Sequence, residues 1–401
     1  MWSGKTIVLG VTGGIAIYKA AELTSAIRQR GASVEAIMTQ AACQFMSPLI
    51  FRELSGNQVA VDLFAPPARM EVQHVGLAER ADIIAVVPAT ANTIAKIAQG
   101  LADNLLTSVI LAAKKPVLLA PAMNVGMYEN PATQANLAIL NTRGFTIVGP
   151  STGRLLSGIV GAGRMAPLEE ILFGLEKLLS PQDYAGDRVV VTAGGTREAV
   201  DPVRFLGNRS SGRMGVALAR VFALRGAAVT LIAGAMKVPA PFGVELIWVE
   251  STADMREAVL AHLPSASVVV MAGAPSDFRP AEQRQGKIKR ESGLDLRLLP
   301  TEDIAAEVGR AKQTGQMLAI FAAETGDLLA NARAKLERKR ADLVAANDIT
   351  VKDSGFDAET NQVHLLTATG IKSLPILPKE KVAWAIADAL LAVRGGHGFD
   401  G

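Results

Sequence analysis

The chain has 401 residues, enough for two cores of ordinary size, and a net charge of only +3, too small a cationic excess for a nucleic-acid binder. One cysteine excludes an intramolecular disulfide or a cysteine-based metal cluster and suits a reducing cytoplasm, and the four histidines show no metal-ligand spacing. Apolar residues make up 49% and aromatics 4%, the usual composition of parallel α/β sheets, with no apolar run near the roughly 20 residues that span a bilayer.

In chain order, the sequence reads as a strand over 7–11, a Thr12-Gly13-Gly14 turn and a helix over 15–30. The strand makes the N-terminal apolar stretch unlike a signal peptide. Arg30-Gly31-Ala32 then turns into a strand over 34–38. Continuous apolar runs over 82–87 and 116–120 read as buried parallel strands separated by helices, and 145–149 as a further short strand. Leu178 to Gly186 reads as a helix end and a linker. The same logic then restarts: a strand over 189–192, a longer polar insert, a helix over 214–225, Arg225-Gly226-Ala227 and a strand over 229–233. An apolar run over 268–272 follows. The repeated Arg-Gly-Ala turn is ordinary helix-to-strand architecture. The expectation is two α/β domains, 1–183 and 187–395, and a flexible Gly-rich tail over 396–401.

Both beginnings bring glycines from a strand end into a helix start, where backbone N–H groups and the helix dipole meet an anion. In the first half, Pro88-Ala89-Thr90-Ala91-Asn92-Thr93 and Pro121-Ala122-Met123-Asn124 follow buried strands, where α/β sheets bind ligands. Taken singly, the Gly pair suits a tight turn as well as a site, His74 a structural role, and Asn124 a turn cap. Together, Pro121-Ala122-Met123-Asn124-Val125-Gly126-Met127-Tyr128 resembles the signature of the homo-oligomeric flavin-containing cysteine decarboxylases, over about residues 5–180. The resemblance implies a flavodoxin-like fold and FMN held by Gly13, Gly14, Thr39, Ala89, Thr90, Asn92, Thr93 and Thr107. It makes His74 the base and Asn124 the holder of the substrate carboxylate. Ser157, in Leu155-Leu156-Ser157-Gly158, stands in the slot of the family's proton-donating cysteine. An aliphatic hydroxyl is a far weaker acid than a thiol. This half is therefore either active through another donor or water, stalled at an oxidised enethiol, or a flavin-binding scaffold.

In the second half, Thr192-Ala193-Gly194-Gly195-Thr196-Arg197-Glu198, Asp201-Pro202-Val203-Arg204 and Asn208-Arg209-Ser210-Ser211-Gly212-Arg213 carry the most specific text. The serines suit a helix cap or a phosphate. Gly273-Ala274-Pro275-Ser276-Asp277 and Phe321-Ala322-Ala323-Glu324 follow apolar runs, and Lys335 and Lys339 share a helix face. Lys287-Ile288-Lys289-Arg290 suits a solvated basic turn equally well. The whole resembles phosphopantothenate–cysteine ligase over about 187–392, on a Rossmann-like sheet. That resemblance implies CTP-dependent coupling of 4′-phosphopantothenate to L-cysteine through an acyl-cytidylate, with Mg2+. Asn208, Arg204 and Lys287 would be catalytic, and Gly273, Asp277, Lys287, Phe321, Lys335 and Lys339 would hold the nucleotide. The two halves together resemble bifunctional coenzyme A biosynthesis enzymes, which implies a homo-oligomer, a dodecamer built from trimers and dimers. It implies no nucleic-acid or membrane partner.

Overall fold

The computed structural model describes residues 1–64, 71–154, 160–289, 294–324, 327–348 and 358–397. Two compact units make up the chain, Met1–Pro181 and Gln182–Gly401.

The first unit is built on five parallel strands in the order Ser33–Met38, Thr6–Val11, Ile83–Ala89, Val117–Pro121 and Thr146–Ile147. In chain order this is 2-1-3-4-5, a flavodoxin-like sheet. Its middle strand, Ile83–Ala89, is buried along its whole length, because helices cover both faces and leave no side for polar residues. Two apolar clusters form accordingly. One gathers Leu9, Leu23 and Leu175, and the other gathers Val8, Ile84 and Leu106. Alternate residues of one strand feed opposite faces. Helix Ile17–Gln29 ends at Gly31, whose φ of +92° lets the chain reverse into the next strand.

The second unit has six parallel strands in the order Val244–Trp248, Ala228–Ala233, Arg188–Ala193, Val268–Met271, Met317–Glu324 and Leu343–Asp348. In chain order this is 3-2-1-4-5-6, the Rossmann arrangement. His364–Leu366 and Ile371–Ser373 extend it antiparallel. The stretch read as linker departs from its expectation at Tyr184, which is fully buried. Its ring meets Phe222 edge-on at 5.0 Å, and its hydroxyl donates to the Ala387 carbonyl at 2.7 Å. A lone aromatic among polar residues gave no periodicity to reveal that burial. Of the tail, residues 398–401 lie outside the described residues.

Candidate functional site

Each sheet reverses its winding between its first strand and a neighbour, and the splayed loops there leave a crevice at the carboxyl ends. In the first unit the crevice lies between Thr6–Val11 and Ile83–Ala89. The Thr12 hydroxyl ties the two strand ends, donating to the Pro88 carbonyl at 2.7 Å and accepting from the Thr90 N–H at 3.2 Å. Beyond it opens a cavity of about 780 Å³, bordered by Gly13, Gly14, Thr90 and Asn124 among the predicted residues. That volume lies in the range of small-molecule and cofactor sites. Ile15, Tyr18, Met123, Met127 and Met165 give it apolar walls, suited to a flat ring system. The second strand of the Ser151–Arg154 and Val160–Arg164 hairpin also borders it. Gly163 approaches so closely, with φ +138°, that a Cβ there would lie 2.4 Å from the Met123 carbonyl oxygen.

Asn124 caps the short helix Val125–Tyr128, its Oδ1 accepting from the Gly126 N–H at 3.0 Å. That fixes the carboxamide at the cavity wall. The other predicted first-half residues do not line the cavity. Thr39 caps helix Gln40–Cys43 by accepting from Ala42 N–H, Ala89 is buried in its strand, and Asn92 is exposed. Thr93 is buried and accepts from the Thr90 hydroxyl at 3.2 Å. Thr107 is turned into a capping box with Asn104 and borders a separate cavity. His74 is half-buried near the start of helix Gln73–Arg80. Ser157 lies outside the described residues. The sequence reading missed Lys19 and Arg164, which supply the cavity's positive charge. Burial, and then the neighbouring Arg164, push the Lys19 ammonium's pKa down. Lys19 lies on the helix after the Gly pair, and its helical spacing toward that turn was the available signal.

In the second unit a cavity of about 370 Å³ runs along the strand ends and gathers Asn208, Gly273, Asp277, Phe321, Lys335 and Lys339. Asn208 Nδ2 donates to the Pro275 carbonyl at 2.9 Å and lies 3.5 Å from Asp277 Oδ2. The Thr192 hydroxyl accepts from the Gly273 N–H at 2.9 Å and holds that loop to the central strand. Helix Arg213–Leu224 opens on Gly212, which lies in the left-handed region and has no side chain to cap with, and the Ser210 hydroxyl accepts from the Gly212 N–H at 3.4 Å. Gly212, Arg213 and Met214 border the cavity, so this helix start lies where its dipole favours an anion. Lys339 is 3.1 Å from Asp303, which also borders the cavity.

Arg204 and Lys287 do not line this cavity but share one anchor. The Asp201 carboxylate, with a fully covered side chain, pairs with Arg204 and accepts the N–H groups of Val203 (2.8 Å), Arg204 (2.7 Å) and Ile288 (3.1 Å). Arg204 in turn donates to the Ile288 carbonyl at 3.2 Å. Burial alone would raise the Asp201 pKa, but these N–H groups and the guanidinium bring it down to about 2. Among the described residues no group of three or more His, Cys, Asp or Glu is placed to hold a metal ion. No helix there is long and apolar enough to cross a membrane.

A family model described as Flavoprotein matches residues 1–180, and one described as DNA/pantothenate metabolism flavoprotein C-terminal domain matches 184–393. The chain is 44% identical over 399 residues, 98% of each chain, to the Coenzyme A biosynthesis bifunctional protein CoaBC of Bacillus subtilis. It is 42% identical over 387 residues, 96% of this chain and 97% of the relative, to the protein of the same name from Vibrio cholerae. A solved C-terminal domain of a protein of that name aligns at 36% identity with a TM-score of 0.45, covering 51% of this chain and 94% of that one.

Proposed function

Because the chain belongs to the family of bifunctional coenzyme A biosynthesis proteins, we propose that its second unit joins 4′-phosphopantothenate to cysteine and its first unit decarboxylates the product to 4′-phosphopantetheine. The observation that carries this reading is the convergence, at one row of strand ends, of Asn208, Gly273, Asp277, Phe321, Lys335 and Lys339 around a single cavity.

In the ligase reaction CTP activates the substrate carboxylate as an acyl-cytidylate, with release of pyrophosphate. The cysteine amine then displaces CMP. The lysines and the start of helix Arg213–Leu224 draw in polyanions and offset charge as it develops. Asn208, held against the Pro275 carbonyl, orients the carboxylate for attack on the α-phosphate. Lys287 neutralises the triphosphate, and Arg204 assists the amine's attack. Mg2+ arrives on the triphosphate, since hard cations of this kind are commonly bound through substrate phosphates.

The first cavity fits FMN in volume and in its apolar walls with a few polar edges. Bound there, FMN would supply the two-electron oxidation of the substrate thiol to a thioaldehyde, which lets CO2 leave, and would later return the hydride. The protein's own work is to bind and orient. Lys19 and Arg164 attract the anionic substrate, the Asn124 carboxamide holds its carboxylate, and the methionine and tyrosine walls exclude water. His74 serves as the base. A homo-oligomer belongs to the same proposal.

Stepwise mass spectrometry tests the whole reading. Purified protein receives 4′-phosphopantothenate, CTP, Mg2+ and cysteine, and each intermediate is sought. Absence of both acyl-cytidylate and amide would sink the ligase assignment. Amide without CO2 release would leave only the ligase.

A further inference from the structure

Glu198 is a buried carboxylate, 6% exposed, that none of the proposed steps uses. It opens strand Glu198–Ala199, which pairs with Phe205–Leu206, the last strand before Asn208, and it does not border the cavity. Its Oε1 accepts twice from Thr252, the first residue of helix Thr252–His262: from the N–H at 2.8 Å and from the hydroxyl at 2.8 Å. An acceptor held out of water is costly unless donors meet it, and here the donors belong to a series of hydroxyls that continues. Thr252 Oγ1 lies 2.9 Å from Thr196 Oγ1, which accepts from the Ser276 N–H at 2.8 Å. Thr196, Thr252 and Ser276 are all buried.

The series of bonds runs one way. A threonine hydroxyl has a single proton to donate. That of Thr252 goes to Glu198, because the other acceptor within reach, the Ser276 carbonyl, is 3.4 Å away and already receives the Thr301 hydroxyl at 2.5 Å. Thr196 is therefore the donor in its contact with Thr252, and a lone pair of its oxygen meets the Ser276 N–H. That N–H and the Pro275 carbonyl belong to one planar trans peptide and point opposite ways. Buried hydroxyls hold one edge of this peptide, and the Asn208 carboxamide, at 2.9 Å, meets the other edge at the cavity. The rest of the loop has its own supports: Ala274 N–H donates to the Gly194 carbonyl at 2.8 Å, and Thr301 N–H donates to the Asp277 carbonyl at 3.0 Å.

We propose that Glu198 is a positioning residue of the ligase: through Thr252 and Thr196 it fixes the plane of the peptide joining Pro275 to Ser276, and through that carbonyl the carboxamide of Asn208. This rests on the ligase reading above and deepens it. Hydrogen bonds in series polarise one another, so the carboxylate also makes the Pro275 carbonyl a stronger acceptor for Asn208. The step that depends on it is formation of the acyl-cytidylate, in which Asn208 orients the substrate carboxylate. Nucleotide binding does not depend on it, because Gly273 is held by Thr192 and Asp277 by Thr301.

Single-turnover formation of acyl-cytidylate by the full chain, given 4′-phosphopantothenate, CTP and Mg2+ without cysteine, decides it. Calorimetric titration with CMP runs alongside, and its stoichiometry counts the folded sites. Thr196→Val keeps the side chain's shape but removes the acceptor of the Ser276 N–H, and it slows the step roughly tenfold, the upper end of what one hydrogen bond contributes. Glu198→Ala slows it comparably, and Glu198→Gln, which keeps an acceptor oxygen, recovers most of the rate. The double variant of Glu198→Ala and Thr196→Val is no slower than the slower single one, since both break the same series. CMP affinity stays unchanged throughout. A wild-type rate in Thr196→Val would overturn the proposal. So would losses that multiply in the double variant, or that vanish when rates are expressed per CMP-binding site. Should Glu198→Ala unfold, Thr252→Val takes its place, cutting the hydroxyl link while leaving the residue 252 N–H bonded to Glu198. The ligase reading fails separately, through a wild-type chain that makes no acyl-cytidylate.

Discussion

At the scale of single residues, Asp201 joins two side chains to which the proposed ligase chemistry gives separate roles. It holds Arg204 directly and the Lys287 loop through the Ile288 N–H. Asp201→Asn is expected to lower ligase turnover and to speed amide exchange at Ile288, read by hydrogen-exchange mass spectrometry. Unchanged exchange at Ile288 would refute the anchoring. Its pKa is depressed on folding, so its stabilising effect is fully present above the unfolded carboxylate value of about 4 and is lost as pH falls through about 2. Across pH 6–8 the anchor is constant, so any pH dependence of turnover there comes from other groups. Ser157 is a second decisive residue. If that position donates the proton that completes reduction, Ser157→Cys raises the yield of reduced product in a single turnover. Identical yields in both forms exclude it as the donor.

At the scale of elements, the hairpin of Ser151–Arg154 and Val160–Arg164 packs its glycines against the loop that carries Asn124. Met123 N–H donates to the Gly163 carbonyl at 3.0 Å, and no room remains for a side chain. Gly163→Ala must therefore move the loop and the cavity wall together, at about 1–3 kcal/mol of backbone strain before any clash. The expected result is protein that purifies with little bound flavin, measured by visible absorbance. A full complement of flavin would show that the cavity is not where flavin binds. Elements such as Ile83–Ala89 were legible in the sequence because a strand buried on both faces needs an unbroken apolar run. The Gly-pair turns were legible because a close backbone approach needs glycine. Asn347 and Lys379, which also border the second unit's cavity, were not. They lie 32 residues apart in chain numbering, and only the sheet order brings them to one cavity. Thr107 was ambiguous for another reason, since a first-turn hydroxyl reads alike in sequence whether it closes a capping box, as it does here with Asn104, or meets a ligand.

At the scale of the whole molecule, each unit closes its own sheet and core, so each should fold when separated, provided the cut respects what is buried. Tyr184 decides where the cut falls. The sequence places it in a linker, yet its ring is buried against Phe222 and its hydroxyl is spent on Ala387. Its neighbour Asp183 pairs with Arg225, a guanidinium whose side chain is almost wholly covered and which also meets Asp388. Gln182 Nε2 donates to the Leu224 carbonyl at 3.0 Å. A fragment beginning at Gln182 keeps all of these contacts. One beginning at Asp187 loses a buried aromatic, which by analogy with large-to-small core substitutions costs about 3–5 kcal/mol. It also leaves the buried Arg225 with one carboxylate in place of two, a further loss in the same direction. Urea unfolding is therefore expected to show a clearly lower midpoint for the shorter fragment, with a similar slope because nearly the same surface is exposed. Where both fragments stay folded, they should form the amide product alike, since none of residues 182–186 borders the ligase cavity. Equal midpoints would mean that Tyr184 contributes no net stability and that the second unit's core is complete from Asp187 onward.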